Sequence, residues 1–290
     1  MEKMDFRNLS KKDIKKLHKW LRAIIQVIFF LVLPSAFTAA FNGVKTIFMQ
    51  IGSKDVIEIS SFMTVLIVLS GFTMIFGRFF CGFACAFGSF GDAVHALYIK
   101  ICKKLKKKPI KIPASWVNKL MYVKYIILAA IVIMCYCDVY KKLQGTSPWD
   151  VFSMLQAGNF RLGKYMLGVA FLVLIIAGMA LEERYFCKFF CPMGAVFSML
   201  PTVPFFTLKR DREACLKGCK ACTNNCSVNI GLPSESSLEV NGECFQCQKC
   251  IDVCPKGNVH CGIKKLKGNE FLFTIVRAAL LFTVLVLAGV

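Results

Sequence analysis

Apolar residues along the chain gather in long runs separated by basic segments. Ala23 to Phe41 carries no charge and is bounded by Arg22 and by Asn42-Gly43. Ile59 to Phe76 is a second run, closed by Arg78. Leu120 to Cys137 is a third, with only Lys124 near its start, where a long side chain reaches the interface. Tyr165 to Leu181 is a fourth, closed by Glu182-Glu183-Arg184, and Phe271 to Val290 is a fifth, with Arg277 inside it. A helix needs about 20 apolar residues to cross the hydrocarbon core, so the pattern predicts about five membrane helices. Pro34 in the first run predicts a kink, which membrane helices tolerate. Ala195 to Phe206 is too short to cross and is interrupted by Pro201 and Pro204, so it reads as an interfacial elbow. Ser147-Pro148-Trp149-Asp150 has a capping Ser followed by Pro at the first helical position. It predicts a short helix covering the outer surface, with Val151, Phe152 and Leu155 on one side.

Composition agrees with a bilayer. Of 290 residues 56% are hydrophobic and 19% charged, against roughly 45–50% and about 25% for soluble domains. The 27 Phe exclude disorder, and the length argues against a small secreted disulfide scaffold. The net charge is +20, from 37 Lys+Arg against 17 Asp+Glu, and its location decides its meaning. Lys3, Arg7, Lys11, Lys12, Lys15, Lys16, Lys19 and Arg22 precede the first run; Lys100 to Lys119 separate the second and third. The segments between runs one and two (Lys45, Lys54) and three and four (Lys141, Lys142, Arg161, Lys164) are poorer in cations. The positive-inside rule places the N-terminus, the 82–119 loop and the 182–270 segment in the cytoplasm. This accounts for most of the charge without nucleic acid. The Lys103–Lys108 run, beside a span, reads as a lipid-facing anchor and not as a DNA site. The first run is full length and lacks a small-residue cleavage site, so it is expected to stay uncleaved.

The chain has 16 cysteines. Cys244-x2-Cys247-x2-Cys250-x3-Cys254-Pro255 has the bacterial ferredoxin spacing for a [4Fe–4S] cluster. Three thiolates on a tight loop hold three irons of a cube, and the fourth turns towards a second cluster. The other run, Cys215-x3-Cys219-x2-Cys222-x3-Cys226, has one extra residue in its first gap and Ser227 in place of Pro. The cross-over rule assigns Cys215, Cys219, Cys222 and Cys254 to one cluster, and Cys226, Cys244, Cys247 and Cys250 to the other. Zinc sites favour separated Cys pairs or Cys/His mixtures, which neither run shows. Such clusters pass single electrons, so Lys209 to Lys267 reads as an electron relay on the cytoplasmic face.

A repeat lies at the ends of the second and fourth runs. Arg78, Cys81, Phe83, Cys85 and Gly88 recur at equal offsets as Arg184, Cys187, Phe189, Cys191 and Gly194. Runs one–two and three–four are therefore two copies of one hairpin, a common plan in membrane proteins. On a helix, positions i and i+4 share a face, which would bring Cys81 to Cys85 and Cys187 to Cys191. The four thiols are candidates for a further cluster or metal, for a contact with the soluble clusters or a partner's redox centre, or for small structural packing. Arg78 and Arg184 are either interfacial anchors or positive charges beside a cluster. Cys102, Cys135, Cys137 and Cys261 read as structural. His18, His95 and His260 stand alone outside every run, and no C-x-x-C-H is present, so neither b-type nor c-type haem is expected.

These motifs resemble the NapH/NosR-type membrane polyferredoxins over roughly residues 20 to 265. The resemblance rests on the paired Cys-x3-Cys-Pro motifs (Cys81/Cys85, with Ala86 in place of Pro, and Cys187/Cys191-Pro192), the two ferredoxin runs, and the order of spans before clusters. It implies electron transfer between the quinone pool or cytoplasmic donors and redox partners carrying flavin, haem or iron–sulfur groups. The chain departs at Ala86, the Cys215–Cys219 gap and Ser227, carries a fifth run, and has no Ser/Thr-Gly-Ala-Thr flavin-attachment motif.

The expected fold is an all-α membrane bundle of about five helices in two repeated hairpins, with an α+β two-cluster ferredoxin-like domain. The expected organisation is a basic N-terminal segment (1–22), a first hairpin (23–91), a basic loop (92–119), a second hairpin with its elbow (120–206), the cluster domain (207–267) and a fifth helix (268–290). The expected location is the cytoplasmic membrane of a prokaryote. The expected function is a one-electron relay subunit with two [4Fe–4S] clusters, a possible third centre at the repeat cysteines, and quinone as a possible partner. A metal-reducing assembly factor for an oxidase and a membrane redox sensor are the alternatives.

Overall fold

The computed structural model describes residues 11–54, 58–110, 112–140, 147–262 and 270–290. The basic residues before position 11, Lys111, Lys141, Lys142 and the junction at 263–269 lie outside the described residues. The first hydrophobic run is not one straight rod. Helix α1 (Lys11–Val32) ends just before Pro34, and α2 (Ala36–Ser53) leaves it at 61°. Proline lacks the N–H that continues a helix, and its ring clashes with the preceding turn. The expected kink is thus a break between two helices.

Helix α3 (Ser61–Phe76) packs against α2 and leads into a one-turn π-helix at Phe80–Ala84 and then α4 (Ala86–Lys104). The second hairpin follows the same plan. α5 (Ala114–Leu120) and α6 (Val123–Tyr136) together span Trp116–Tyr136, and α8 (Met166–Leu181) returns to α9 (Tyr185–Phe189) and α10 (Pro192–Met199). Among the described residues, Trp116–Tyr136, Gly163–Leu181 and Glu270–Leu287 are long and apolar enough to cross a membrane, and the bent α1–α2 pair makes a fourth candidate. The second run forms only the 16 residues of α3, fewer than the roughly 20 a straight crossing needs.

Between the hairpin arms lies α7 (Pro148–Gln156), where the Ser147 hydroxyl caps the Asp150 N–H at 3.3 Å and Pro148 opens the helix. Its apolar residues do more than cover a loop. Trp149 meets Phe41 edge-on at 5.3 Å, and Phe152 lies 4.3 Å from the Phe87 ring. The run from Ala195 forms part of α10, which is buried at Ala195 and Phe197 against α6 and α2.

The cysteine-rich segment is mostly irregular. β1 (Leu208–Arg210) pairs antiparallel with β2 (Val259–Cys261), with Leu208 opposite Cys261. Between them lie the single-turn helices α11 (Ala221–Asn224) and α12 (Lys249–Val253). The chain ends in α13 (Glu270–Leu287), packed on α3.

Candidate metal centres

The repeat folds the same way twice, but not as a helix presenting positions i and i+4. The Cys85 N–H donates to the Phe80 carbonyl and the Cys191 N–H to the Phe186 carbonyl, both at 2.9 Å. Each bond reaches back five residues, the signature of a π-turn, which recurs at functional sites. Cys85 and Cys191 then adopt extended backbone and become the residues that start α4 and α10. Each pair is set by a wide turn followed by one extended residue, and not by one helix face that carries both.

All four repeat cysteines are buried. Burial pushes the Cys187 thiol up to about 11, and the Cys85 and Cys191 thiols well above their ordinary value. The thiols also act on one another: Cys85 senses Cys187 and Cys81, and Cys191 senses Cys187, Cys85 and Cys81. The set is therefore one electrostatic unit built from both hairpins. Against burial, the Gly194 N–H donates to the Cys191 sulfur at 3.1 Å, and the equivalent Gly88 N–H favours the Cys85 thiolate.

The recurring Arg and Gly are explained by exchange between the copies. Arg184 of the second copy packs on Gly88 of the first, where a Cβ would lie 2.4 Å from Arg184 Nη1. Arg78 of the first packs on Gly194 of the second, where a Cβ would lie 3.1 Å from Arg78 Nη2. Neither Arg is an interfacial anchor, because both are buried. Arg184 forks onto Asp92 at 2.8 and 2.5 Å and also donates to the Gly82 carbonyl at 2.8 Å and to that of Cys81. Burial alone would raise the Asp92 pKa, but Arg184 overcomes it and holds the carboxyl below its ordinary value. Arg78 Nη1 reaches Glu243 at 3.2 Å, and Glu243 also takes Lys124 and the Tyr125 hydroxyl at 2.7 Å. Glu243 is likewise lowered, Arg78 and Lys124 outweighing burial.

The second ferredoxin run docks onto this frame. Phe245 is buried between the two guanidiniums, 4.6 Å from Arg78 and 5.9 Å from Arg184. Gly82 permits the approach, since a Cβ there would sit 2.3 Å from the Phe245 carbonyl oxygen. From the other side α1 clamps the run: Arg22 donates to the Cys247 carbonyl at 2.9 Å, and His18 bridges Asp252 at 2.8 Å and Gln248 at 2.7 Å. One turn on, Gln26 reaches the Gly82 carbonyl at 3.3 Å and Asp92 at 2.8 Å. His18, alone in sequence, is thus a bracket between α1 and the cysteine loop.

Cys226, Cys244, Cys247 and Cys250 line one small cavity with Phe245 and Val228, and Cys222 of the other predicted set stands on its wall as well. Cys244, Cys247 and Cys250 are raised by burial, and each senses Cys226. This donor set suits an anionic iron–sulfur cluster: the pocket is apolar and lined by five cysteines, four of them the set predicted for one cluster, which iron would hold as thiolates. Of the other predicted set, Cys222 is buried, and Cys215, Cys219 and Cys254 are partly exposed. Hydrogen bonds already reach two of these sulfurs, from Arg210 to Cys222 and from the Asn258 N–H to Cys254, both at 3.3 Å. Among the described residues, no group of three or more His, Cys, Asp or Glu closes tightly enough for a single metal ion. A cube of four irons holds its thiolates further apart than one ion does. Cys261 sits on β2 near Cys244 and Cys250, with its sulfur 3.4 Å from Arg277 Nη2. Cys102 and Cys135 are buried and Cys137 exposed, the opposite facing expected of residues two apart.

Sequence reading missed Asp92, Glu243, Phe245 and Gln26. Asp92 had a signal, as an acid in a basic loop, and Glu243 stands directly before Cys244. Phe245 had none.

A family model described as a 4Fe-4S binding domain matches residues 59–109 and 166–201. These are the two repeat segments with Cys81/Cys85 and Cys187/Cys191, and not the runs at 215–254. An uncharacterised protein of Methanocaldococcus jannaschii is 30% identical over 239 residues, covering 82% of this chain and 84% of that relative. The regulatory protein NosR of Pseudomonas aeruginosa is 25% identical over 202 residues, 66% of this chain but 27% of NosR. The ferredoxin-type protein NapH of Escherichia coli is 24% identical over 201 residues, 66% of this chain and 62% of NapH. No solved structure matches the chain. With two cysteine-bearing hairpins, apolar helices and a docked ferredoxin-type segment, the chain belongs to the family of membrane-associated ferredoxin-type electron transport proteins.

Proposed function

We propose that the protein is a membrane-bound relay subunit that passes single electrons between a cytoplasmic or quinone-pool partner and other redox subunits. Cys226, Cys244, Cys247 and Cys250 would hold one [4Fe–4S] cluster, and Cys215, Cys219, Cys222 and Cys254 the other. Each cluster supplies one-electron exchange without bond chemistry. The protein holds the clusters, excludes water from one of them and orients the pair against the membrane. The observation that carries this reading is the docking of the second run onto the hairpins through Phe245, Arg22 and His18. Such a dock has a use in a relay, which must fix its centres at constant separation from the membrane. The distribution of basic residues supports a cytoplasmic orientation of this face.

The test is a reductive titration of anaerobically purified protein followed by EPR. Reversible one-electron signals from two cysteine-ligated clusters are expected. Protein that holds zinc in these runs, or iron that does not cycle, overturns the reading. A metal-reducing assembly role is the second reading, and it predicts that the reduced protein passes its electrons to a metal ion instead of to a redox subunit.

A further inference from the structure

The two ferredoxin-type runs differ in what lies between their cysteines. In the second, Phe245, Gln246 and Gln248 are buried against the hairpins and α1. In the first, Leu216, Lys217, Gly218 and Lys220 are exposed, and so are Pro255, Lys256 and Gly257 directly after Cys254. The two exposed loops form one surface. The Asn258 Nδ2 donates to the Ala214 carbonyl at 2.6 Å, and the Asp211 N–H donates to the Asn258 carbonyl at 3.0 Å. This surface is strongly cationic: Arg212, Lys217, Lys220 and Lys256 are exposed on it, with Glu213 as the opposing exposed acid. Asp211 is partly exposed, but its Oδ1 already takes the N–H groups of Glu213 and Ala214 at 3.1 and 3.3 Å. None of the four cations is in an ion pair among the described residues. Leu216 stands among them, 49% exposed. An apolar contact inside a charged rim is the anatomy of a protein–protein interface, and the charge selects a partner of opposite sign. The surface borders Cys215, Cys219 and Cys254, all partly exposed, so a protein docked there lies against this cysteine set.

Resting on the iron–sulfur relay reading above, we propose that the 212–220 and 255–257 loops dock an acidic one-electron carrier protein, which exchanges its electron with the Cys215, Cys219, Cys222 and Cys254 set. One electron passes per encounter. The carrier is oxidised by one as the chain is reduced by one, or the reverse, and no bond or proton moves. The four cations steer the encounter, an effect worth about 10–10³-fold in association rate at low salt. Leu216 supplies the short-range apolar contact that holds the pair. The second run, packed on the hairpins, is left to face the membrane side of the relay.

The test uses the iron-loaded chain in nanodiscs of neutral lipid and an acidic plant-type [2Fe–2S] ferredoxin as the probe. Binding is followed by surface plasmon resonance. It is expected to weaken steeply between about 10 mM and about 150 mM salt, where the Debye length falls from about 30 Å to about 8 Å. The variant Lys217→Glu/Lys220→Glu/Lys256→Glu is expected to lose about tenfold or more in association rate at low salt, with iron content and melting point unchanged. Lys100→Glu/Lys103→Glu/Lys104→Glu makes the same change of charge on exposed residues of α4 and is expected to keep most of the rate. Equal losses in the two variants mean attraction by net charge alone and overturn the surface. Binding that disappears when the nanodiscs carry anionic lipid assigns the patch to headgroups and overturns it as well. Leu216→Ser is expected to speed dissociation without changing the salt dependence, and unchanged dissociation removes Leu216 from the interface. Mixing with reduced ferredoxin reads the electron: the probe is expected to reoxidise, and to do so more slowly with the Lys217/Lys220/Lys256 variant. If the probe binds but is not reoxidised by a chain that a small reductant of the same potential does reduce, the docking proposal fails and the relay reading stands. Iron that does not cycle with any reductant overturns the relay reading itself.

Discussion

Asp92→Asn is the sharpest test of the frame beneath the metal centres. The substitution keeps the size of the side chain and removes its charge. In the native chain Arg184 is 3% exposed, and Asp92 takes both its Nε and its Nη2. After the change Arg184 retains the carbonyls of Cys81 and Gly82, which carry no formal charge. Breaking a buried pair by removing one partner costs roughly 3–5 kcal/mol, because the remaining charge is uncompensated. For a chain of this size, about 1 kcal/mol moves Tm by roughly 2–4 °C, so the drop should be about 6–20 °C. The assay is thermal denaturation followed by circular dichroism, with iron loading, detergent and pH held fixed. Arg184→Gln should cost a similar amount. The double variant Asp92→Asn/Arg184→Gln should cost clearly less than the sum, since it leaves no lone charge. A single-variant shift within the roughly 0.5 kcal/mol of an ordinary surface change, or strict additivity in the cycle, would refute the claim that this pair is buried and coupled.

Four further outcomes follow from the same geometry. Gly88→Ala should destabilise more than Gly194→Ala, because its Cβ meets an Arg nitrogen at 2.4 Å instead of 3.1 Å, whereas Gly71→Ala, with nothing within 4 Å, serves as the neutral control; equal melting points for all three would contradict the exchange of arginines. Gly82→Ala drives a Cβ into the Phe245 carbonyl, so limited proteolysis should cut the 242–254 loop faster than in the unaltered chain. His18→Ala removes both brackets to α12 and should cost about 1–3 kcal/mol, each lost bond leaving a polar partner behind. Cys261→Ser should keep the full iron complement, as its sulfur already answers to Arg277; a loss of about four irons would make it a ligand.

The helical membrane plan and the repeat were readable because they rest on local pattern: apolar run length, Pro and Gly at boundaries, and equal offsets of Arg, Cys and Gly. The break at Pro34 was signalled, but its 61° bend was not, since the angle depends on what α1 and α2 each pack against. The short length of α3 was hidden because apolar residues flank it outside the helix. The pairing of Cys81 with Cys85 was anticipated by the wrong geometry: the spacing of four suits both a helix face and a π-turn, and only the extended backbone at Cys85 distinguishes them. The acids that hold Arg78 and Arg184 lie 165 and 92 positions away in sequence. No periodicity reports such partners. Phe245 looked like any spacer between cysteines, and its role depends on a docking surface formed by both hairpins.

That docking surface also bears on how far the chain can carry an electron into the bilayer. Helix α1 acts as a ruler, since Arg22 holds the Cys247 carbonyl and Gln26 the Gly82 carbonyl. Four residues of helix rise about 6 Å, so the repeat segment and the second ferredoxin run are held about one turn apart along α1. The hydrocarbon core is about 30 Å thick, and a step of one turn leaves most of it uncrossed. Among the enclosed groups of the bundle beyond the repeat are packed rings: Phe186 and Phe87 at 4.2 Å, Phe87 and Phe152 at 4.3 Å, Phe41 and Trp149 at 5.3 Å. These residues pack the bundle and supply no stable one-electron centre. On the relay reading proposed above, the rest of that distance is left to a lipid-soluble carrier or to another subunit.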